Sequence, residues 1–153
     1  MPCLSVHSPL GPLTIVEDDD AIVALDWCWT REMTETSLLS LASDQLTSYF
    51  EGDLTKFTLP LAPSGTPFQC QVWASMKRIP YGETQSYGGV AEKIDSSPRA
   101  VGSACGRNPI PILIPCHRVV GKGGALVGYS GGEGVETKRY LLAHECSQRR
   151  LVI

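Results

Sequence analysis

The chain has no apolar run approaching the roughly 20 residues that a membrane-spanning helix needs, and only 19% of its residues are charged. Its start, Met1 through Pro9, has no basic cluster leading into an apolar stretch, which argues against a secretory signal peptide. The six cysteines stand at positions 3, 28, 70, 105, 116 and 146 with no Cys-x-x-Cys pair, and the three histidines form no closely spaced pair. Both spacings typical of zinc sites are therefore missing. Cys3, His7 and Cys28 are left as residues that only an accident of folding would bring together, so no metal and no cofactor is expected. Thiols spread this thinly, without a secretory signal, read as free cysteines rather than as a disulfide framework. The expectation is an intracellular protein.

What is present is enough for a packed core. Hydrophobic residues make up 42% of 153, a soluble globular composition that fits one domain or two small halves. The formal charge of −3 is unevenly placed. Residues 1–60 hold two basic and ten acidic residues, a balance of −8, whereas residues 61–153 hold eleven basic and six acidic, a balance of +5. Surface scatter can produce such a split, and so can a polyanion-binding module beside a scaffold that does not bind.

The organisation follows the same division. Leu4–Val6 and Leu13–Val16 flank a Ser8-Pro9-Leu10-Gly11-Pro12 turn, Asp18–Asp20 makes a second turn, and Ile22–Trp27 reads as a third strand. Thr34–Phe50 has helical periodicity and stops at Gly52. Residues 58–65, with two prolines and a glycine, read as the linker between a domain at 1–60 and one at 66–153. Thr66 caps the next helix, with Pro67 in its first turn and Gln69 completing a capping box; Pro80-Tyr81-Gly82 ends it. The fold class is thus α/β of the α+β kind: a small strand-rich N-terminal domain with one helix, then a mainly helical C-terminal domain.

Residues 86–94 and 98–107 predict two short helices joined by a tight polar turn, a helix-turn-helix candidate. In the second, Val101 and Cys105 face the core, while Ala100, Gly102, Ser103, Ala104 and Gly106 leave the rest nearly bare. Interior helical glycines cost about 1 kcal/mol each relative to alanine, so close approach is the better account: to a neighbouring helix, or to a DNA groove. Cys105 is also a candidate for a second accessible thiol. Ile110–Pro115 reads as an extended apolar segment delivering Cys116, and a final helix spans roughly 134–146.

Cys116 is followed by His117 and Arg118. Only the thiolate of cysteine is a good nucleophile, so a reactive Cys116 needs a base, and the base needs an orienting group. Glu145 on the last helix supplies one, giving the order Glu145, His117, a water, Cys116. As a dipeptide, Cys-His by itself is more often structural than catalytic.

At these residues the chain resembles a known family. Ile114-Pro115-Cys116-His117-Arg118-Val119 resembles the active-site signature of the O6-alkylguanine-DNA alkyltransferases. Arg99-Ala100-Val101-Gly102 and Asn108-Pro109 resemble the start and end of that family's recognition helix. Tyr129-Ser130-Gly131-Gly132 resembles its substrate loop, and Leu141-Leu142-Ala143-His144-Glu145 its closing helix. The likeness covers about ninety residues, and is looser in the N-terminal half, where Ser8-Pro9-Leu10-Gly11 carries it. Between Tyr87 and Arg99 the chain is about two residues shorter than larger relatives.

The resemblance implies single-use repair. Cys116 takes the alkyl group of O6-alkylguanine, and also of O4-alkylthymine, irreversibly and without a cofactor. The partner is double-stranded DNA containing the lesion, bound through the minor groove with the nucleotide flipped out. The resemblance makes Arg99 the finger entering the duplex and Tyr87 the proton donor to guanine N3. It makes Asn108 the hinge, with Ala100, Gly102, Ser103 and Arg107 on the DNA side, and Tyr129, Ser130 and Val119 with Asn108 around the base. A monomer is implied, cytoplasmic in a bacterium or archaeon and nuclear in a eukaryote. The nearest alternative is a lesion-binding protein of the same fold that transfers nothing. A cysteine hydrolase using Cys116 and His117 is more distant, and so is a plain DNA-binding regulator.

Overall fold

In a computed structural model, which describes residues 1–129 and 131–151 and side chains through Cys146, the chain divides into two units, Met1–Ser64 and Gly65–Ile153. The fold is mixed α/β, with a small antiparallel sheet in the first unit and a mainly helical second unit.

In the first unit, β1 (Cys3–Val6), β2 (Leu13–Asp18) and β3 (Ala21–Asp26) form an antiparallel meander. The second turn is tighter than the Asp18–Asp20 expected. Only Asp19 and Asp20 make it, with φ of 50° and 61°, the left-handed pair of a two-residue hairpin that asparagine and aspartate tolerate. Leu13, Ile15, Ile22 and Leu25 are buried, as are Leu39, Ala42, Leu46 and Tyr49 of α1 (Ser37–Phe50). That helix starts later than Thr34 because Thr36 caps it, its hydroxyl accepting from the Leu39 amide at 3.1 Å. The same hydroxyl donates to buried Glu17 on β2, fastening helix to sheet. Part of the expected linker is structural too. The Ile22 amide donates to the Pro60 carbonyl, and the Ala62 amide to that of Ile22, each at 2.8 Å.

In the second unit, α2 (Pro67–Lys77) carries the full Thr66/Gln69 capping box. Val72, Trp73 and Met76 are buried. The Trp73 indole N–H donates to the Ala104 carbonyl at 2.9 Å, so α2 backs the helix pair α3 (Tyr87–Lys93) and α4 (Pro98–Gly106). Asp95, at φ 54°, makes the turn between them.

Three sequence readings change here. Ile110–Pro115 is not extended: Ile112 sits at φ 73°, rare for a β-branched residue, and the Ile114 amide donates to the Ile110 carbonyl at 2.9 Å. The segment is a buried turn. Two strands of two residues each, β4 (Gln85–Ser86) and β5 (Val119–Val120), pair in parallel and were not legible as strands. The last helix, α5 (Val135–Leu151), runs past 146 because no glycine or proline stops it. Among the described residues no helix is long and apolar enough to cross a membrane.

Candidate active site

Cys116 opens a single 3₁₀ turn, Cys116–Arg118, placed between the buried Ile110–Pro115 turn and β5. All of residues 110–120 are buried, and Cys116 is 7% exposed. Two hydrogen bonds from Asn108 make the turn reproducible. Its side-chain nitrogen donates to the Ile114 carbonyl at 2.9 Å, and its side-chain oxygen accepts from the Ile110 amide at 3.0 Å. Expected as the hinge and on both the DNA side and the base side, Asn108 has its amide committed to bonds inside the unit, to Ile114 and Ile110.

His117 is fully buried, with Nε2 2.7 Å from Glu145 Oε2 on α5. Burial alone would raise the Glu145 carboxyl, but hydrogen bonds and charge from His117 and Arg118 outweigh it and hold the group well below its ordinary value. An ionised carboxylate only accepts, so His117 Nε2 carries the hydrogen and Nδ1 presents a lone pair. Among the described residues Nδ1 has no partner. Burial holds the imidazole below its ordinary pKa, against the pull of Glu145. Burial pushes the Cys116 thiol up, only partly offset by the Asn108 hydrogen bond and the charge of Lys138. At neutral pH the site therefore holds a thiol beside a neutral base, so ionisation has to be coupled to a proton acceptor.

Two further charged side chains complete the site, and sequence reasoning gave neither a role. Lys138 is completely buried. Its ammonium donates to the carbonyls of Val119 at 2.6 Å and Val127 at 2.9 Å, lies 3.4 Å from the Tyr87 hydroxyl, and sits 5.5 Å from that ring's centroid. The signal was available: Lys138, Leu141 and Glu145 fall at i, i+3 and i+7 on one helical stripe. Arg118 is 7% exposed and bonds both Glu145 oxygens and the Ile79 carbonyl.

Tyr87, the first residue of α3, donates its hydroxyl to the Val127 carbonyl at 2.9 Å. Burial, with Cys105 and Cys116 nearby, pushes this phenol up to about 12, so it is a neutral donor at physiological pH. Tyr129 is 8% exposed, and its buried hydroxyl has no partner among the described residues. The Val119 carbonyl is taken by Lys138, and Ser130 lies outside the described residues.

The other expected set stands apart from these. Arg99, Ser103 and Arg107 are exposed on and just after α4, and Ala100 and Gly102 are half-buried. The glycines answer the packing question left open by the sequence. A Cβ on Gly106 would meet nothing within 4 Å, and one on Gly102 only an ordinary contact with Tyr87 at 3.9 Å. Packing within the chain does not require these side chains to be missing. Cys105 is buried, its thiol on the Met76 sulfur at 3.3 Å, so it is not a second accessible thiol. No group of three or more His, Cys, Asp or Glu side chains able to hold a metal converges among the described residues. The Cys3 thiol bonds the Glu32 carbonyl, and His7 stacks on Trp29.

Comparison with known proteins matches most of the chain. Residues 67–147 match the family model described as 6-O-methylguanine DNA methyltransferase, DNA binding domain, and residues 3–63 match the ribonuclease-like domain of the same name. The constitutive methylated-DNA–protein-cysteine methyltransferase of Bacillus subtilis is 45% identical over 90% of this chain and 91% of its own. The methylated-DNA–protein-cysteine methyltransferase of Methanosarcina acetivorans is 41% identical over 92% and 96%. A crystal structure of Mycobacterium tuberculosis OGT in complex with DNA superposes with a TM-score of 0.88 at 42% identity, covering 97% of this chain and 94% of that one.

Proposed function

Because the chain belongs to the 6-O-methylguanine DNA methyltransferase family, we propose that Cys116 is the acceptor of the alkyl group it removes from DNA. The activity is that of a methylated-DNA–protein-cysteine methyltransferase, direct repair of alkylated DNA. The observation that carries the site assignment is the buried Glu145–His117 pair. It leaves one imidazole nitrogen without a partner among the described residues, next in sequence to a buried thiol.

The reaction follows from these groups. The Cys116 proton passes, through a water, to His117 Nδ1 as sulfur attacks the alkyl carbon attached to guanine O6. The carbon–oxygen bond breaks, its electron pair stays on the base, and guanine N3 takes a proton from the Tyr87 hydroxyl. Lys138 faces that hydroxyl, stabilises the phenolate formed, and lies on the route by which Tyr87 regains a proton. The product is a thioether with no leaving group good enough to reverse the step, so each molecule acts once, as a monomer and without a cofactor.

The target atom lies inside a stacked base, so the nucleotide is turned out of the duplex at a cost of a few kcal/mol. Arg99 fills the gap it leaves, while the bare face of α4 enters the minor groove, with Arg107 toward the phosphates. Tyr129 and Ser130 line the pocket, for O6-alkylguanine and also O4-alkylthymine. A bacterial or archaeal cell would hold the protein in the cytoplasm, within reach of the nucleoid. Incubation with an O6-methylguanine duplex, followed by intact-mass and peptide analysis, tests the reading: one added methylene per chain, on the peptide containing Cys116. DNA binding with no mass change would make this a lesion-binding protein instead.

Alkylation leaves a methyl or larger group on the sulfur of Cys116, a residue only 7% exposed. Overpacking of this kind costs about 1–3 kcal/mol, and at this chain length 1 kcal/mol is about 2–4 °C. The alkylated protein is expected to melt several degrees below the fresh protein by calorimetry. Identical melting temperatures would contradict the packed-pocket account.

A further inference from the structure

We propose that Arg118 is a positioning residue of the transfer reaction, its guanidinium holding the Glu145 carboxylate against His117 and, by its fixed charge, keeping the imidazole neutral and able to accept a proton. This rests on the reading that His117 is the base for Cys116. The geometry leaves Arg118 little freedom. Nε donates to Glu145 Oε1 at 2.9 Å, Nη2 to Oε2 at 3.1 Å, and Nη1 to the Ile79 carbonyl at 2.7 Å. The guanidinium also lies over the Tyr81 ring, 5.8 Å from its centroid. Each Glu145 oxygen therefore accepts from arginine, while Oε2 also faces His117 at 2.7 Å.

Charge counting gives the consequence. A carboxylate buried against an imidazole alone favours the imidazolium, because the ion pair is neutral overall and an unpaired buried carboxylate is costly. An imidazolium cannot take the thiol proton. Arginine stays protonated at all relevant pH, so Arg118 with Glu145 is already neutral, and protonating His117 would bury a net positive charge. The other ionisable groups act within this frame. Lys138 on α5 also opposes protonation of His117. Cys116 is a thiol whose pKa burial raises. The Tyr81 phenol, pushed up to about 12 chiefly by burial and then by Glu145, stays neutral.

The test is the pH dependence of single-turnover transfer from an O6-methylguanine duplex, for wild type, Arg118→Gln and Arg118→Lys. Glutamine is neutral but still donates to Glu145 or Ile79, whereas lysine restores the charge without the fork. In Arg118→Gln the acid limb is expected to move up by about one unit or more. The rate then falls at least about tenfold below wild type on the acid side and recovers to within a few-fold of it at high pH. In Arg118→Lys the limb stays within about half a unit of wild type. A rate lowered by the same factor at every pH in Arg118→Gln, or an unshifted limb, overturns the proposal and leaves a purely structural arginine. Should Arg118→Gln fail to fold by circular dichroism, Arg118→Lys decides alone, and a limb moved by a full unit despite the retained charge overturns it. Intact mass of the wild type in the same reactions separates the two readings, because no alkylation of Cys116 there would refute the transfer assignment itself.

Discussion

Alanine at Cys116 is expected to abolish transfer completely while leaving a folded protein that still binds its lesion. In the proposed reaction the sulfur is the atom that forms the new bond, so its loss differs in kind from the loss of a proton-transfer group, which costs typically 10²–10⁴ in rate. Cys105, whose thiol is buried in the same unit, is held on Met76 and pushed up to about 12, chiefly by burial, so it does not substitute. The fold tolerates the change, since alanine removes one sulfur from a site otherwise held by Asn108 and the flanking turn. A stability change of about 1 kcal/mol is expected. Intact-mass measurement after exposure to an O6-methylguanine duplex checks the first part, and a binding titration with the same duplex checks the second. An alanine variant that still gains an alkyl group would place the acceptor elsewhere.

Glu145→Ala is expected to damage both stability and chemistry. The carboxylate is 1% exposed and partners His117 and Arg118 together, so its removal strands a buried guanidinium. Breaking a buried pair from one side costs about 3–5 kcal/mol, a large share of the 5–15 kcal/mol of a typical domain. His117 also loses the acceptor that fixes its tautomer, and transfer should slow by about 10² or more. Denaturant midpoints and single-turnover rates measure the two effects, and wild-type stability in this variant would contradict the burial argument. The wild type should show the same ion pair in acid. The Glu145 carboxyl lies below its ordinary 4.5, so the unfolded chain binds the proton more readily. Its contribution is present above that pH and is lost progressively as pH falls below it. Burial of His117 adds in the same direction, beginning as pH falls through 6.5.

A large part of the site was legible because its atoms lie close in sequence or at fixed helical spacing. Cys116, His117 and Arg118 occupy one turn, and Glu145 stands on a helix whose periodicity is plain. The Thr66/Gln69 box and the Ser97-Pro98 start of α4 are local hydrogen-bonding rules, and local rules survive folding. Lys138 was missed because a lysine on a helix is ordinarily solvated, and it takes the fold to bring the carbonyls of Val119 and Val127 to its ammonium in place of water. Ile110–Pro115 was misjudged because its apolar residues suit a strand, whereas the two bonds from Asn108 impose a turn.

By itself, the sequence determined the α+β class, the two-part organisation in charge, the residues proposed as nucleophile, base and orienting acid, and the small-residue face of α4. These rest on periodicity, capping and the intrinsic chemistry of side chains, all of which are properties of neighbours in the chain. Only the tertiary structure decided that the thiol is un-ionised at rest and that the base is neutral. It also decided that the glycines of α4 are not demanded by packing, and that Arg118 and Lys138 belong to the site. Those properties depend on burial and on charges brought together from residues 79 to 145, and desolvation is set by what surrounds a group in space.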